Sequence, residues 1–135
     1  MNKDFSDSIL GEFKAGKYGY DGMILHSSMN IRITLDEKED ITTAHRLCKD
    51  VASLLDEASA FAANKLTALA NEWREEDTKE ISETDFTERI RLNTISVQRE
   101  GHYTLWFHDD NMFCKHAVCV YGSIDSGLEK ATIEG

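Results

Sequence analysis

Residues 105–116, LWFHDDNMFCKH, hold the densest run of reactive side-chain types in the chain. His108, Asp110, Cys114 and His116 are each competent ligands for zinc or iron. Zinc sites are usually nucleated by cysteines about two to four residues apart or histidines about three to five apart. Here His108 and His116 are eight apart, and Cys114 and Cys119 are five apart. The spacing therefore predicts a strand running into a polar loop, with no metal and no cofactor. Nucleophilic chemistry is equally poorly served. Cys114 and His116 lie too close in sequence to aim at each other from one strand. His26, His45 and His102 have no partner visible in the sequence, and His45 is expected at the surface. Cys119, between Val118 and Val120, is expected in the core. Glu12-Phe-Lys14 has the E-x-K form of some nuclease motifs but no carboxylate on a neighbouring predicted strand. The glycines of GKYGYDG at 16–22 make neither G-x-G-x-x-G nor a Walker pattern. The expectation is a protein that is not an enzyme.

The acids are more informative. The formal charge is −10, and its placement decides what it means. Asp36-Glu-Lys-Glu-Asp40 is acidic, and residues 72–88 carry eight acids against only Arg74 and Lys79. The excess thus flanks a single segment. Phosphate binding needs clustered Lys and Arg, so nucleic acid is excluded as a natural ligand. A basic protein partner fits instead, drawn in chiefly through the association rate. Glu83 and Asp85 are explained by the start of a helix. Glu72, Glu75, Glu76, Asp77 and Glu80 sit where a helix dipole disfavours them by about 0.3–1 kcal/mol each. Glu72, Trp73, Glu75, Glu76 and Asp77 are therefore the candidate partner-binding residues. Asp109 and Asp110 form a second candidate patch, and both patches are expected to be exposed.

Those residues need a scaffold. A length of 135 residues gives a single domain, 1–135, with one sizeable core. With 41% apolar and 30% charged residues, the composition is that of a globular chain rather than a disordered one. No basic start leads into an apolar run, and no stretch approaches the roughly 20 apolar residues of a membrane span. Three cysteines, an odd number without a C-x-x-C pair, fit a reducing cytoplasm.

Residues 11–20 and 23–35 flank Asp21-Gly22, which predicts a hairpin turning there. Ile31, Ile33 and Leu35 alternate with Arg32 and Thr34, as on a strand with one buried face. From Ile41 to Trp73 apolar residues recur every three or four positions, which predicts one long amphipathic helix capped by Asp40 or Asp36. At 1.5 Å per residue it would run about 50 Å, beyond the roughly 35–40 Å breadth of such a domain, so a break near Asn64 or a projection is expected. Ser82-Glu-Thr-Asp85 fits a capping box opening a short helix through Ile90. Strands follow at 94–98, 103–107, 117–121 and 131–133, with a turn at Glu100-Gly101. The fold class is α+β: an antiparallel β-sheet packed against one long amphipathic helix, plus a short second helix.

This order of elements resembles an uncharacterised bacterial family known only as a domain of unknown function. The matching pieces are Gly11-Glu-Phe13, the 31–35 strand leading into Asp36–Asp40, the Trp73 region with ISETDF at 81–86, Ile95-Ser96, LWFHDD at 105–110 and VYGSIDSG at 120–127. The resemblance carries no catalytic residues. It implies similarity to proteins encoded beside polymorphic or contact-dependent bacterial toxins, and hence an immunity protein that occludes a basic toxin domain such as a nuclease. The rival expectations are a small enzyme or metal-binding protein using the His108–His116 cluster, and an interaction module with another partner. The sequence leaves the oligomeric state open.

Overall fold

A computed structural model describes residues 2–135. Among these, eight strands form one sheet in simple sequential order: β1 (Phe5–Asp7), β2 (Gly11–Gly16), β3 (Gly19–His26), β4 (Met29–Leu35), β5 (Arg91–Val97), β6 (His102–His108), β7 (Ala117–Ser123) and β8 (Gly127–Glu134). Between β4 and β5 run three helices, α1 (Ile41–Cys48), α2 (Val51–Trp73) and α3 (Glu83–Arg89). The fold class is α+β, dominated by the sheet. The expected all-antiparallel sheet is corrected at one place: β4 and β5 are parallel, with Ile33 beside Ile95 and Leu35 beside Val97. A helical crossover returns the chain in the direction it left, and that geometry requires a parallel pair.

Strand alternation sends Ile31, Ile33, Leu35, Ile95, Leu105 and Val120 into the core, all essentially inaccessible. The helices cover that face. Ala58, Ala62, Leu66 and Ala70 recur every four residues on the buried side of α2, and the alanines let the helix axis lie close over the sheet. Phe13 closes the N-terminal end of the core, stacked on Phe5 with 5.2 Å between ring centroids.

The long helix does break, but at Lys49–Asp50 and not near Asn64. Asp50 leaves helical conformation (φ −143°, ψ 87°), and its Oδ1 accepts the amide of Ser53 at 3.1 Å as the cap of α2. The remaining 23 residues span about 34 Å. Asp40 does not cap α1 with its side chain. Its Oδ2 accepts the Glu37 amide at 2.9 Å, closing a capping box on the 3₁₀ turn Lys38–Asp40. Burial, reinforced by Asp36, Glu37 and Glu39, raises the Asp40 carboxyl above its ordinary pKa despite that bond.

The predicted turn at Asp21-Gly22 is also corrected, because both residues lie inside β3. Gly22 is needed there for space: a Cβ would sit 2.6 Å from the Phe13 ring. The reversal comes at Ser27-Ser28, both in the left-handed region at φ 48° and 65°. The short helix behaves as expected, with Ser82 accepting the Asp85 amide at 3.0 Å and Asp85 accepting the Ser82 amide at 3.0 Å.

Candidate functional site

The 105–116 stretch turns on one carboxylate. β6 ends at His108, β7 begins at Ala117, and the eight residues between form a loop organised around Asp109. Asp109 points inward and is only 6% exposed. Its oxygens accept the amides of Asn111 (3.2 Å), Phe113 (2.9 Å) and Lys115 (3.1 Å). Asp110, Asn111, Cys114 and Lys115 all adopt positive φ, between 49° and 70°. Such conformations cost a non-glycine residue roughly 1–2 kcal/mol each. The loop holds them because Phe113 is fully buried and Arg89 grips Asp110, with Nε on the carboxylate at 2.8 Å and Nη2 on the backbone carbonyl at 2.9 Å.

This loop bounds a concavity of about 670 Å³ on the face of the sheet opposite the helices. Its floor is the outward row of the central strands: Arg32 and Thr34 from β4, Thr94 and Ser96 from β5, and Trp106 from β6. Register puts these side by side, with Arg32 beside Thr94, Thr34 beside Ser96, and Thr94 opposite Trp106. The wall is His108, Lys115 and His116. Asn93 Nδ2 donates to His108 Nε2 at 3.1 Å, which leaves the proton of the neutral ring on Nδ1. His116 Nδ1 donates to the Phe113 carbonyl at 2.5 Å, and its Nε2 has no partner among the described residues. Arg32 is held by Asp21 through Nε (2.6 Å) and Nη2 (2.5 Å). The Arg32 hydrogen bond is the main reason the Asp21 carboxyl stays below its ordinary pKa.

On the helix side of the loop lies the acidic connector. Trp73, the last residue of α2, is 38% exposed and meets Phe113 and His116 edge-on at 5.6 and 5.5 Å. Two side chains fasten the chain beyond it. Asn71 Oδ1 accepts the Ile81 amide at 2.8 Å while its Nδ2 donates to the Ile81 carbonyl at 2.8 Å. Arg74 Nη1 donates to the Thr78 carbonyl at 2.7 Å and supplies a cation at the negative end of α2. Glu72, Glu75, Glu76, Asp77 and Glu80 stay exposed, and none belongs to an ion pair found among the described residues.

Among the described residues, no group of three His, Cys, Asp or Glu side chains is placed to hold a metal ion. Cys119 is buried as expected, but on the other face. Val118 and Val120 point into the core, so Cys119 points toward the open face, beside Trp106 and Thr132. Burial, then the charge of Glu134, pushes its thiol up to about 12. At neutral pH it is no nucleophile. His45 is half-buried and does have a partner, Asp7 Oδ2 at 2.8 Å, from a segment 38 residues away. Burial raises the Asp7 pKa, but the His45 bond and the Leu10 and Ile9 amides together bring it below the ordinary value.

A family model described as "Uncharacterized protein conserved in bacteria (DUF2262)" matches residues 7–133. The chain belongs to that family. No curated protein and no solved structure matches it. The DUF2262 match spans β2 to β7, most of β8, both loops and every candidate residue drawn from the sequence.

Of those candidates, the fold places Glu72 and Trp73 in the last turn of α2 and Glu75, Glu76 and Asp77 on the exposed connector beyond it. Asp109 is corrected: it is buried, because three amides of its own loop need an acceptor. Asp110 is exposed but engaged by Arg89. His108 and His116 meet at one concavity, while Cys114 is exposed outside its lining. The floor residues Arg32, Thr34, Thr94, Ser96 and Trp106 escape notice in the sequence. Their signal is the polar half of each strand's alternation, which looks like ordinary solvent-facing surface until register lines the strands up.

Proposed function

We propose that this DUF2262 protein is a binding protein of the immunity type, which neutralises a basic bacterial toxin domain by covering its cationic surface. The carrying observation is the acidic end of α2 and the connector after it: among the described residues, exposed Glu72 on the helix and Glu75, Glu76, Asp77 and Glu80 beyond it have no cationic partner, on a backbone fastened by Asn71 and Arg74. A fastened loop loses little freedom on docking, so less of the interaction free energy is spent on ordering. The carboxylates steer a cationic partner into contact, and Trp73 provides an aromatic anchor beside them. No chemistry or cofactor of its own is required, and the cytoplasm is where such a toxin would be met. Among the described residues no helix is long and apolar enough to cross a membrane.

The test takes the toxin-like protein encoded by an adjacent reading frame and measures its association with this chain at rising salt. A complex is expected, with association slowing steeply as screening shortens toward about 8 Å at physiological salt. The triple variant Glu75→Lys, Glu76→Lys, Asp77→Lys should slow association further at low salt. An absent complex, or rates indifferent to both salt and charge reversal, would sink the proposal.

A further inference from the structure

We propose that the concavity on the open face of the sheet is a site for a small organic anion, a flat ring carrying a carboxylate or phosphate. The first ground is its size. About 670 Å³ is in the range of sites that enclose small ligands and is far more than a bound water requires.

The second ground is its hydrogen-bonding inventory, which is lopsided toward donors. The carboxylate and amide acceptors of the lining are already committed, while His116 Nε2 stays open. The Asp109 carboxylate serves three backbone amides, and the Asn93 carbonyl accepts the Thr94 hydroxyl at 2.6 Å. The donors are not. Among the described residues, the Lys115 ammonium, the Trp106 indole N–H and Arg32 Nη1 have no protein partner, and no buried side-chain polar atom goes unsatisfied. These groups therefore face solvent. A cluster of open donors complements an acceptor-rich ligand, and an ionised oxyanion is the strongest such partner.

The third ground is Trp106. Its ring stands on the sheet floor, half-buried, and makes none of the aromatic pairings found elsewhere in the molecule. Such a ring, flanked by Thr94 and the fully buried Cys119 on the neighbouring strands, offers an apolar platform to a planar ligand. The strained loop 109–116 fixes Lys115 and His116 at the edge of this platform, as strain maintained around a ligand site would.

The experiment records amide and indole N–H resonances of the full chain during titration with adenosine 5′-monophosphate, benzoate, adenosine and inorganic phosphate. Saturable shifts at Trp106, Lys115 and Ala117 are expected with the monophosphate or benzoate, and the responding arm identifies phosphate or carboxylate. Adenosine and inorganic phosphate, each lacking one half of the chemistry, should bind about tenfold more weakly, the loss of one charge-assisted contact or one stacked ring. Lys115→Gln, at an exposed position, should weaken binding about fivefold to tenfold with other resonances unmoved. Three results would overturn the proposal: no saturation with any probe, shifts confined to another surface, or adenosine or inorganic phosphate binding as tightly as the best of the ring-bearing anions.

Discussion

Two loops meet at Trp73, and they use carboxylates in opposite ways. In the loop 109–116, Asp109 turns inward and its charge organises the backbone. In the connector 74–82, the organising groups are Asn71 and Arg74 of the helix end, and the acids are left facing water. The difference lies in what the nearby backbone lacks. The 109–116 loop buries Phe113 and leaves three amides that no strand or helix satisfies, so an anion is drawn in. In the connector Asn71 takes the Ile81 amide, and residues 75–80 are exposed, so water can serve their remaining amides and no carboxylate is drawn inward. An acid in a loop is therefore informative only once the unpaired amides around it are counted.

The sharpest way to break this contrast is Asp109→Ala. It leaves three amides without their acceptor, the Phe113 amide in a buried position. Bonds to a charged acceptor contribute about 1.5–3 kcal/mol each, so a loss of about 3–5 kcal/mol is expected in urea unfolding. A loss below about 1 kcal/mol would show that the loop does not depend on its carboxylate.

Asn71→Ala attacks the other loop at its own brace. Two bonds to Ile81 disappear, and a loss of about 2 kcal/mol is expected. Amide exchange should quicken across residues 75–81 and stay unchanged at Phe113. Equal quickening in both loops would mean that they behave as one unit.

Acid provides a third comparison. The Asp85 carboxyl is held below its ordinary 3.8 chiefly by the Ser82 amide, then by the Ser82 hydroxyl. A depressed carboxyl stabilises the fold above its unfolded pKa, and that contribution disappears as pH falls through the folded value. The stability gap between the wild-type chain and Asp85→Ala should therefore be full at pH 5 and close below pH 3.8. Denaturant midpoints across that interval decide it, and a gap independent of pH would assign the effect to helix propensity alone.

The smallest effect belongs to the exposed acids. Reversing Glu75, Glu76 and Asp77 to lysine should change stability by no more than about 0.5 kcal/mol per site. A cooperative loss of several kcal/mol on thermal melting would make these carboxylates structural and erase the contrast.

How much of this was legible in the sequence follows the range of the interactions. The Ser82–Asp85 box, the Glu100-Gly101 turn and the C-terminal strands are local, and their signals sit within a few residues. Asp21-Gly22 misled because Gly22 answers a distant demand, the Phe13 ring that crosses over it. The helix break at Asp50 was hidden because the apolar spacing continues unbroken across it. Asp109 and Asp110 look identical in sequence, yet one faces inward and the other faces Arg89, and only the backbone path separates them. The concavity was least visible, since its floor is assembled from β4, β5 and β6 by a parallel pairing that no local motif announces.

That parallel pairing also describes how the molecule could be taken apart. Strands β1 to β4 and β5 to β8 are two meanders whose internal pairings are all between sequence neighbours, joined at the single β4–β5 seam. Helix α2 lies between the two seam strands in the chain but packs across β7 and β8. Each part thus lends cover to the other, like two halves of a clasp. A cut in the exposed connector near Asp77 would sever one solvent-facing link and leave the sheet seam and the α2 contact to reunite the pieces. Such a cut would also divide the floor of the concavity, leaving Arg32 and Thr34 on one fragment and Thr94, Ser96 and Trp106 on the other.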